Sequence, residues 1–200
     1  MTETAASVLA FWFGEQPELA ATSPTCARLW WSKQPAVDAQ MRERFGVLVE
    51  QAGGGWLDGW AVTPEGRLAL ILLTDQFSRN IHRGLPESFA FDPQARQWTL
   101  QGLATGAFDG LLPIQRMFAY MPLEHSESLE HQDRCVELMQ GLRDNASPAE
   151  RPTFEGFADY AEKHRAIIRR FGRFPHRNAI LDRASTPEEL AFLQTPGSSF

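Results

Sequence analysis

The sequence predicts an all-α protein made of antiparallel helical hairpins, with about eight helices. Apolar residues recur at helical spacing in successive segments, and the clearest case is Met41, Phe45, Leu48 and Val49. No segment alternates between apolar and polar residues as a strand does between two turns. A length of 200 residues fits one domain, so residues 1–200 are interpreted as a single all-α domain.

Prolines and glycines predict the helix boundaries in the first half of the chain. Gly14 ends a short first helix, Pro35 stops the next segment, and the glycines at 53–55 break a third. Pro64 suits the first turn of the most apolar helix. That helix is hydrophobic nearly all round, which predicts a central position. The predicted helices span residues 4–13, 38–52 and 64–82, and the segment 28–33 carries Trp30 and Trp31.

The second half contains further helices with similar boundary signals. Asp92 caps a helix that Pro93 opens, and Pro113 opens a short helix expected to end near Pro122. Gly172 ends the strongest amphipathic helix, and Thr186 and Glu189 form a capping box. Either Ser126 or Ser128 is expected to cap residues 129–142. The predicted helices span residues 93–104, 113–122, 129–142, 154–171 and 187–193, with a polar linker at 143–152.

Composition narrows the function classes. The net charge of −6 argues against general nucleic-acid binding. Apolar runs such as Leu68–Leu73 are far shorter than a membrane span, and Glu3 stands where a signal peptide would carry bases. A cytoplasmic protein is therefore expected. Cys26 and Cys135 stand far apart without a CxxC partner, so they are interpreted as buried small side chains.

A basic segment interrupts this acidic protein. Residues 164–183 contain six arginines and one acid, Asp182. The guanidinium fork fits carboxylate and phosphate, so the segment indicates an anion site. The alternative is a generally arginine-rich composition, because the chain has lysine only at Lys33 and Lys163.

Three polar clusters interrupt apolar helices. On the central helix, Asp75 and Arg79 stand four residues apart and predict an ion pair. The segment 121–128 places His125 and Glu127 at an expected helix start, where backbone N–H groups favour an anion. The third cluster is the basic segment. For each cluster the alternative is structural: an ion pair between helices, or a cap with a loop histidine.

His164 lies on the apolar face of the helix at 154–171. A histidine there is most often a hydrogen-bonded core residue. Its functional use would be as an acid or base, because the imidazole pKa is easily moved.

Several site classes lack their motifs. The histidines show no HxxxH or HExxH spacing and stand among arginines, so no metal site is predicted. The chain has no GxxxxGK[ST] loop, no GxGxxG motif and no GxSxG elbow. A nucleotide fold and an α/β-hydrolase are both disfavoured, and no cofactor is expected.

Specific strings resemble one family. The segments LILLTDQFSRNIHRG (70–84), MPLEHSE (121–127) and RFGRFPHRN (170–178) are similar to the bacterial domain-of-unknown-function 924 family, and the similarity extends over nearly the whole chain. The chain departs from the family pattern at Thr74, at Ser78, where a proline is usual, and at Asp182, where a glycine is common. The resemblance implies an all-α, TPR-like helical fold and no known activity. The motif residues that it marks here are Asp75, Gln76, Arg79, Asn80, Arg83, His125, Glu127, His164, Gly172, Arg173, Pro175, His176, Arg177 and Asn178.

The leading hypothesis is a helical cup that gathers these clusters into one pocket for a small carboxylate or phosphate ligand. Proton transfer is predicted for His125, Glu127 and His176. One alternative is a TPR-like scaffold that grips a peptide by its terminal carboxylate. The other is a purely structural role for the clusters. The predicted ligand-binding residues are Asp75, Arg79, His164, Arg173, Arg177 and Asn178.

Overall fold

The computed structural model describes residues 3–198, which form helices and turns with no strand in that range. The all-α prediction is confirmed. The α-helices are α1 (Ala5–Phe13), α2 (Pro24–Trp31), α3 (Pro35–Gly53), α4 (Pro64–Ile71), α5 (Ser78–Ile81), α6 (Asp92–Thr105), α7 (Pro113–Glu124), α8 (Leu129–Asp144), α9 (Arg151–Phe171) and α10 (Pro187–Leu193). Short 3₁₀ turns cover Pro17–Thr22, Asp58–Val62, Pro86–Phe89 and Pro175–Arg177.

Capping residues set several helix ends where the sequence predicted them. Gly172 ends α9 with a left-handed φ of 69°. Thr186 caps α10 by accepting a hydrogen bond from the Glu189 N–H, as the capping box requires. The segment 28–33 overlaps a helix with an earlier start. Ser23 accepts from the Cys26 N–H, so the helix begins at Pro24.

The central helix contains a π-helical segment that the sequence did not predict. Helices α4 and α5 are continuous through Leu72–Phe77, which forms a wider π turn. The Thr74 hydroxyl donates to the Leu70 carbonyl at 2.7 Å. Each π turn adds a residue to the helix and rotates the side chains that follow, and such turns are frequent at functional sites. Here the turn contains Asp75 and Gln76, both buried.

Helix α7 passes the point where the sequence predicted its end. Pro122 lies inside the helix, which continues to Glu124. A proline in the last turn removes one backbone hydrogen bond but does not have to terminate the helix. The predicted linker at 143–152 is also shorter, because α8 reaches Asp144 and α9 begins at Arg151.

An aromatic core lies under these helices. Phe118 of α7 packs edge-on against Trp30 at 4.8 Å and Trp12 at 5.4 Å between ring centroids. Trp12 also contacts Phe77 of the π turn at 5.4 Å, so α1, α2, α7 and the central helix share one core. Cys26 and Cys135 are buried free thiols within this core. None of the helices within residues 3–198 is long and apolar enough to cross a lipid bilayer.

Helices adjacent in sequence pack against one another from α6 to α9. Beyond α9, a smaller apolar cluster of Ile167, Ile168 and Phe174 fastens the C-terminal segment to the main body. Asp182 in this segment has a φ of 52°, the left-handed region that favours glycine. The TPR-like arrangement stays a prediction.

Candidate functional site

The π turn directs Asp75 at the histidine that ends α7. His125 Nδ1 lies 2.7 Å from Asp75 Oδ1. Burial raises the pKa of Asp75, but the Arg79 charge and the hydrogen bond from His125 outweigh burial and hold that pKa well below its ordinary value. Burial lowers the pKa of His125, as does Arg79, so the imidazole is neutral at pH 7. The carboxylate therefore accepts the Nδ1 proton, which leaves Nε2 as a base.

Arg79 links two carboxylates. Its Nη1 donates to Asp75 Oδ1 at 2.9 Å, so the predicted Asp75–Arg79 ion pair is present. Its Nη2 donates to Asp92 Oδ2 at 3.0 Å, where α6 begins. Arg79 is thus engaged on both sides, and its first role is to join α5 to α6.

Arg177 is buried with few polar partners. Among residues 3–198 its guanidinium makes one hydrogen bond, from Nη1 to Asp92 Oδ2 at 3.4 Å, although it has five N–H donors. Its Nε is buried and meets no acceptor in the part of the chain that the structure describes. The rings of Phe89 and Phe174 lie 4.7 and 4.5 Å from the guanidinium carbon and hold it in place. Burial, with Arg79 next, lowers the pKa of Arg177 to about 10, which still leaves it charged at pH 7.

A second carboxyl–histidine pair lies beside the first. His164 Nδ1 is 3.4 Å from Glu124 Oε1 and 2.9 Å from the Tyr160 carbonyl. The rings of His164 and His125 make an edge contact at 6.4 Å between centroids. Burial raises the pKa of Glu124 to about 8, with Asp75 adding to the rise, and burial lowers the pKa of His164 to about 3. Asp75 is thus ionised and Glu124 protonated at pH 7, an arrangement typical of acid/base sites.

The turn that carries His125 lies at a helix C-terminus. The expectation that His125 lies at a helix start is wrong, because His125 is the C-cap of α7, whereas Glu127 lies two residues before the start of α8. Backbone carbonyls therefore surround His125 in place of free N–H groups. The Gln132 amide satisfies these carbonyls by donating to Glu124 O at 2.5 Å and Ser126 O at 2.8 Å.

Glu127 is hydrogen-bonded to the loop after α9. Its carboxylate accepts from Arg183 Nη1 at 2.7 Å and from the Phe174 N–H at 2.8 Å. Burial raises the pKa of Glu127, but these hydrogen bonds outweigh burial and lower it. Glu127 therefore acts as an ionised anchor for the loop, and this geometry does not favour the predicted proton transfer.

His176 occupies the same loop, with its ring 5.6 Å from that of Phe174. Burial, and then the Arg177 charge, lowers the pKa of His176 to about 4. The imidazole is therefore neutral at pH 7. It interacts electrostatically with both His125 and Arg177, so it belongs to the same cluster.

Arg173 and Asn178 contact a different carboxylate. Arg173 donates to both oxygens of Glu189, at 2.6 and 2.8 Å, and the Asn178 amide donates to one of them at 3.3 Å. The Arg173 hydrogen bond is the largest cause that lowers the pKa of Glu189 to about 2. These contacts tie α10 to the loop, so the structure gives Arg173 and Asn178 a structural partner in place of a ligand.

The three sequence clusters meet in one network. In this network the charged and hydrogen-bonding atoms of neighbouring side chains lie 2.7 to 3.4 Å apart. The centroids of its neighbouring rings lie 5.6 to 6.4 Å apart. Sequence reasoning missed Asp92 as a site residue and predicted it as a helix cap, which is wrong, because Phe91 is the N-cap and Asp92 lies in the first turn of α6. It also missed Glu124, which lies beyond the helix end expected near Pro122. The network consists of Asp75, Arg79, Asp92, Glu124, His125, His164, Phe174, His176 and Arg177.

The network reaches solvent through a few side chains. The side chain of His125 is 12% exposed and that of Arg177 is 8% exposed. A depression of about 570 Å³ lies elsewhere, on the exposed face of α8, and a second of about 180 Å³ lies beside Trp31. Within residues 3–198, no group of three or more His, Cys, Asp or Glu side chains is arranged to hold a metal ion.

Comparisons with known proteins identify relatives without a known activity. The model of a family described as bacterial proteins of unknown function, DUF924, matches residues 8–197. A solved structure of a protein of unknown function from Agrobacterium tumefaciens is 36% identical and superposes with a TM-score of 0.79. The match covers 95% of this chain and 96% of that one. No curated protein matches the chain.

Proposed function

The chain belongs to the DUF924 family of bacterial proteins of unknown function, and we propose that it binds a small carboxylate or phosphate ligand at Arg177. The observation that supports this proposal is the incomplete bonding of a buried cation. A guanidinium taken out of water loses strong hydrogen bonds and needs replacements. Arg177 has one weak replacement, at 3.4 Å from Asp92. A bidentate anion supplies two more.

The same site carries a histidine suited to proton transfer. Asp75 fixes the ring and tautomer of His125 through the 2.7 Å contact with Nδ1. An oriented, neutral imidazole is the usual general base in proteins. We assign His125 as the acid/base residue, with His176 and the Glu124–His164 pair beside it. Glu127 and Arg79 position the loop and the helices.

Thermal shift measurements against a panel of anions test this function. The panel contains inorganic phosphate, sulfate, small mono- and dicarboxylates, phosphorylated sugars and short peptides with a free C-terminus. A ligand present at 100 times its Kd adds about 2.7 kcal/mol to stability. For a chain of this size the melting temperature then rises by several degrees.

Arg177→Met and Arg170→Gln serve as a matched pair of variants. Arg177→Met keeps the side-chain volume between Phe89 and Phe174 but removes the charge, so the anion-induced shift should disappear. Arg170 is 52% exposed and pairs with Glu188 on the surface, so Arg170→Gln should keep the shift. The proposal fails if no anion stabilises the wild type, or if Arg177→Met responds as the wild type does. A response to peptides alone would favour a peptide-binding scaffold.

A further inference from the structure

We infer that the anion enters this site together with one proton, which His125 accepts on Nε2. The inference rests on the proposed function and states how the charge of that ligand is balanced. The proton comes from solvent, and no covalent bond forms or breaks. The ligand class is therefore an oxyanion held between a guanidinium and an imidazolium.

The charges already present cancel. Asp75 and Asp92 are paired with Arg79 and Arg177 through contacts of 2.9 to 3.4 Å. The neighbouring Glu127 and Arg183 cancel as well, at 2.7 Å. An anion added to this buried network brings a charge that no resident cation is left to balance. An uncompensated charge in a buried site is costly, and uptake of a proton removes the cost.

His125 is the proton acceptor best prepared by geometry. Its Nδ1 faces the Asp75 carboxylate at 2.7 Å, so an imidazolium there already has an anionic partner. Once protonated, Nε2 donates a charge-assisted hydrogen bond to the ligand. His164 is less suitable, because its Nδ1 faces the neutral Tyr160 carbonyl at 2.9 Å and its side chain is only 6% exposed.

The groups around His125 set the sign of the pH dependence. Burial is the largest cause that lowers the His125 pKa; the charges of Arg79 in α5 and of Arg177 in the loop after α9 lower it further, while Asp75 raises it. Neutral His164 of α9, His176 of the loop and protonated Glu124 of α7 complete its surroundings. A bound anion offsets the two arginines and raises the His125 pKa. Affinity therefore falls as pH rises through the pKa of His125 in the complex.

Calorimetric titration with sulfate tests this coupling. Sulfate remains fully ionised between pH 5.5 and 8, so its own titration contributes nothing. We expect sulfate affinity to rise as the pH is lowered, approaching about tenfold per pH unit for one linked proton. Binding heats measured in Tris and in Bis-Tris differ by the ionisation enthalpy of the buffer and give the number of protons, which should be close to one.

Two histidine variants locate the proton. His125→Asn should leave sulfate binding weaker and independent of pH. His82→Asn, on a histidine 3.7 Å from Glu50, should keep the wild-type pH slope. The number of protons taken up is measured on the wild type in the two buffers. The inference can therefore be tested even if His125→Asn folds poorly.

The outcomes separate this inference from the proposed function. Sulfate binding that needs Arg177 but takes up no proton overturns the inference and leaves the anion site intact. A pH slope that persists in His125→Asn also overturns the assignment to His125. If sulfate does not bind, the proton count is made with the anion of the thermal-shift panel that does bind, and absence of binding by every anion of that panel overturns both.

Discussion

At the scale of single residues, two buried carboxyls of this site have opposite protonation. Asp75 is held ionised by Arg79 and His125, whereas burial and the nearby Asp75 charge raise the pKa of Glu124 to about 8. Its neighbour His164, whose Nδ1 lies 3.4 Å from Glu124 Oε1, is itself neutral. Environment therefore gives two similar side chains different chemistry.

Glu124→Gln should flatten the dependence of stability on pH. In the folded protein Glu124 keeps its proton up to pH about 8, while an unfolded glutamate loses it near its ordinary pKa of 4.5. Between these values the folded state binds the extra proton, so the free energy of unfolding falls as pH rises, by about 1.4 kcal/mol per pH unit. Glutamine has no proton to lose in this pH range. The free energy of unfolding of the variant therefore rises relative to that of the wild type as pH rises.

Urea unfolding at pH 5, 6.5 and 8 measures this difference. The control is Glu137→Gln, at a side chain that is 66% exposed on α8, which should keep the wild-type slope. Parallel pH profiles for the wild type and Glu124→Gln would contradict the protonated state of Glu124.

At the scale of helices, the site depends on a π turn in the central helix and on the C-terminal end of α7. The π turn at Leu72–Phe77 directs Asp75 towards α7, and the C-terminus of α7 presents His125 to it. Gln132, which is fully buried on α8, supplies a donor to carbonyls at that terminus. Its amide donates to the carbonyls of Glu124 and Ser126, on either side of His125.

Gln132→Leu should destabilise the protein by about 1–3 kcal/mol, because it leaves buried carbonyls without a donor. Gln140→Leu is the matched change on the same helix. Its partly exposed amide makes one bond, to Glu162 at 3.2 Å, so a change within about 0.5 kcal/mol is expected. Equal losses for the two variants in urea unfolding would show that Gln132 has no special role.

At the scale of the whole molecule, one core joins both halves of the chain. Residues from Val8 of α1 to Ala161 of α9 belong to a single apolar cluster. The polar network also joins the two halves of the chain, because Asp92 of α6 accepts a hydrogen bond from Arg177 in the loop after α9. The interpretation of residues 1–200 as one domain therefore predicts that the chain unfolds as a unit.

Unfolding should be a single transition by two different probes. All six tryptophans lie at or before residue 98, so their fluorescence reports the first half, whereas far-UV circular dichroism reports every helix. Coincident urea curves are expected for one cooperative domain. Separate midpoints would show that the halves unfold independently.

The sequence determined the helices, most of their ends and the residue types of the site. Apolar spacing and residues such as Gly172 and Thr186 act within a few positions of the chain, so they can be read locally. Local signals could not reveal that Pro122 stays inside α7, because packing around a helix end decides whether it continues.

Only the tertiary structure decided which charges pair. Asp92 and Arg177 are 85 residues apart in sequence, and the Asp75–His125 contact spans 50. The six arginines of 164–183 look alike in the sequence, yet Arg173 is paired with Glu189, whereas Arg177 is buried with one weak bond. Burial and distant partners set the charge state and the free hydrogen-bonding capacity of a side chain, and both exist only once the helices are packed.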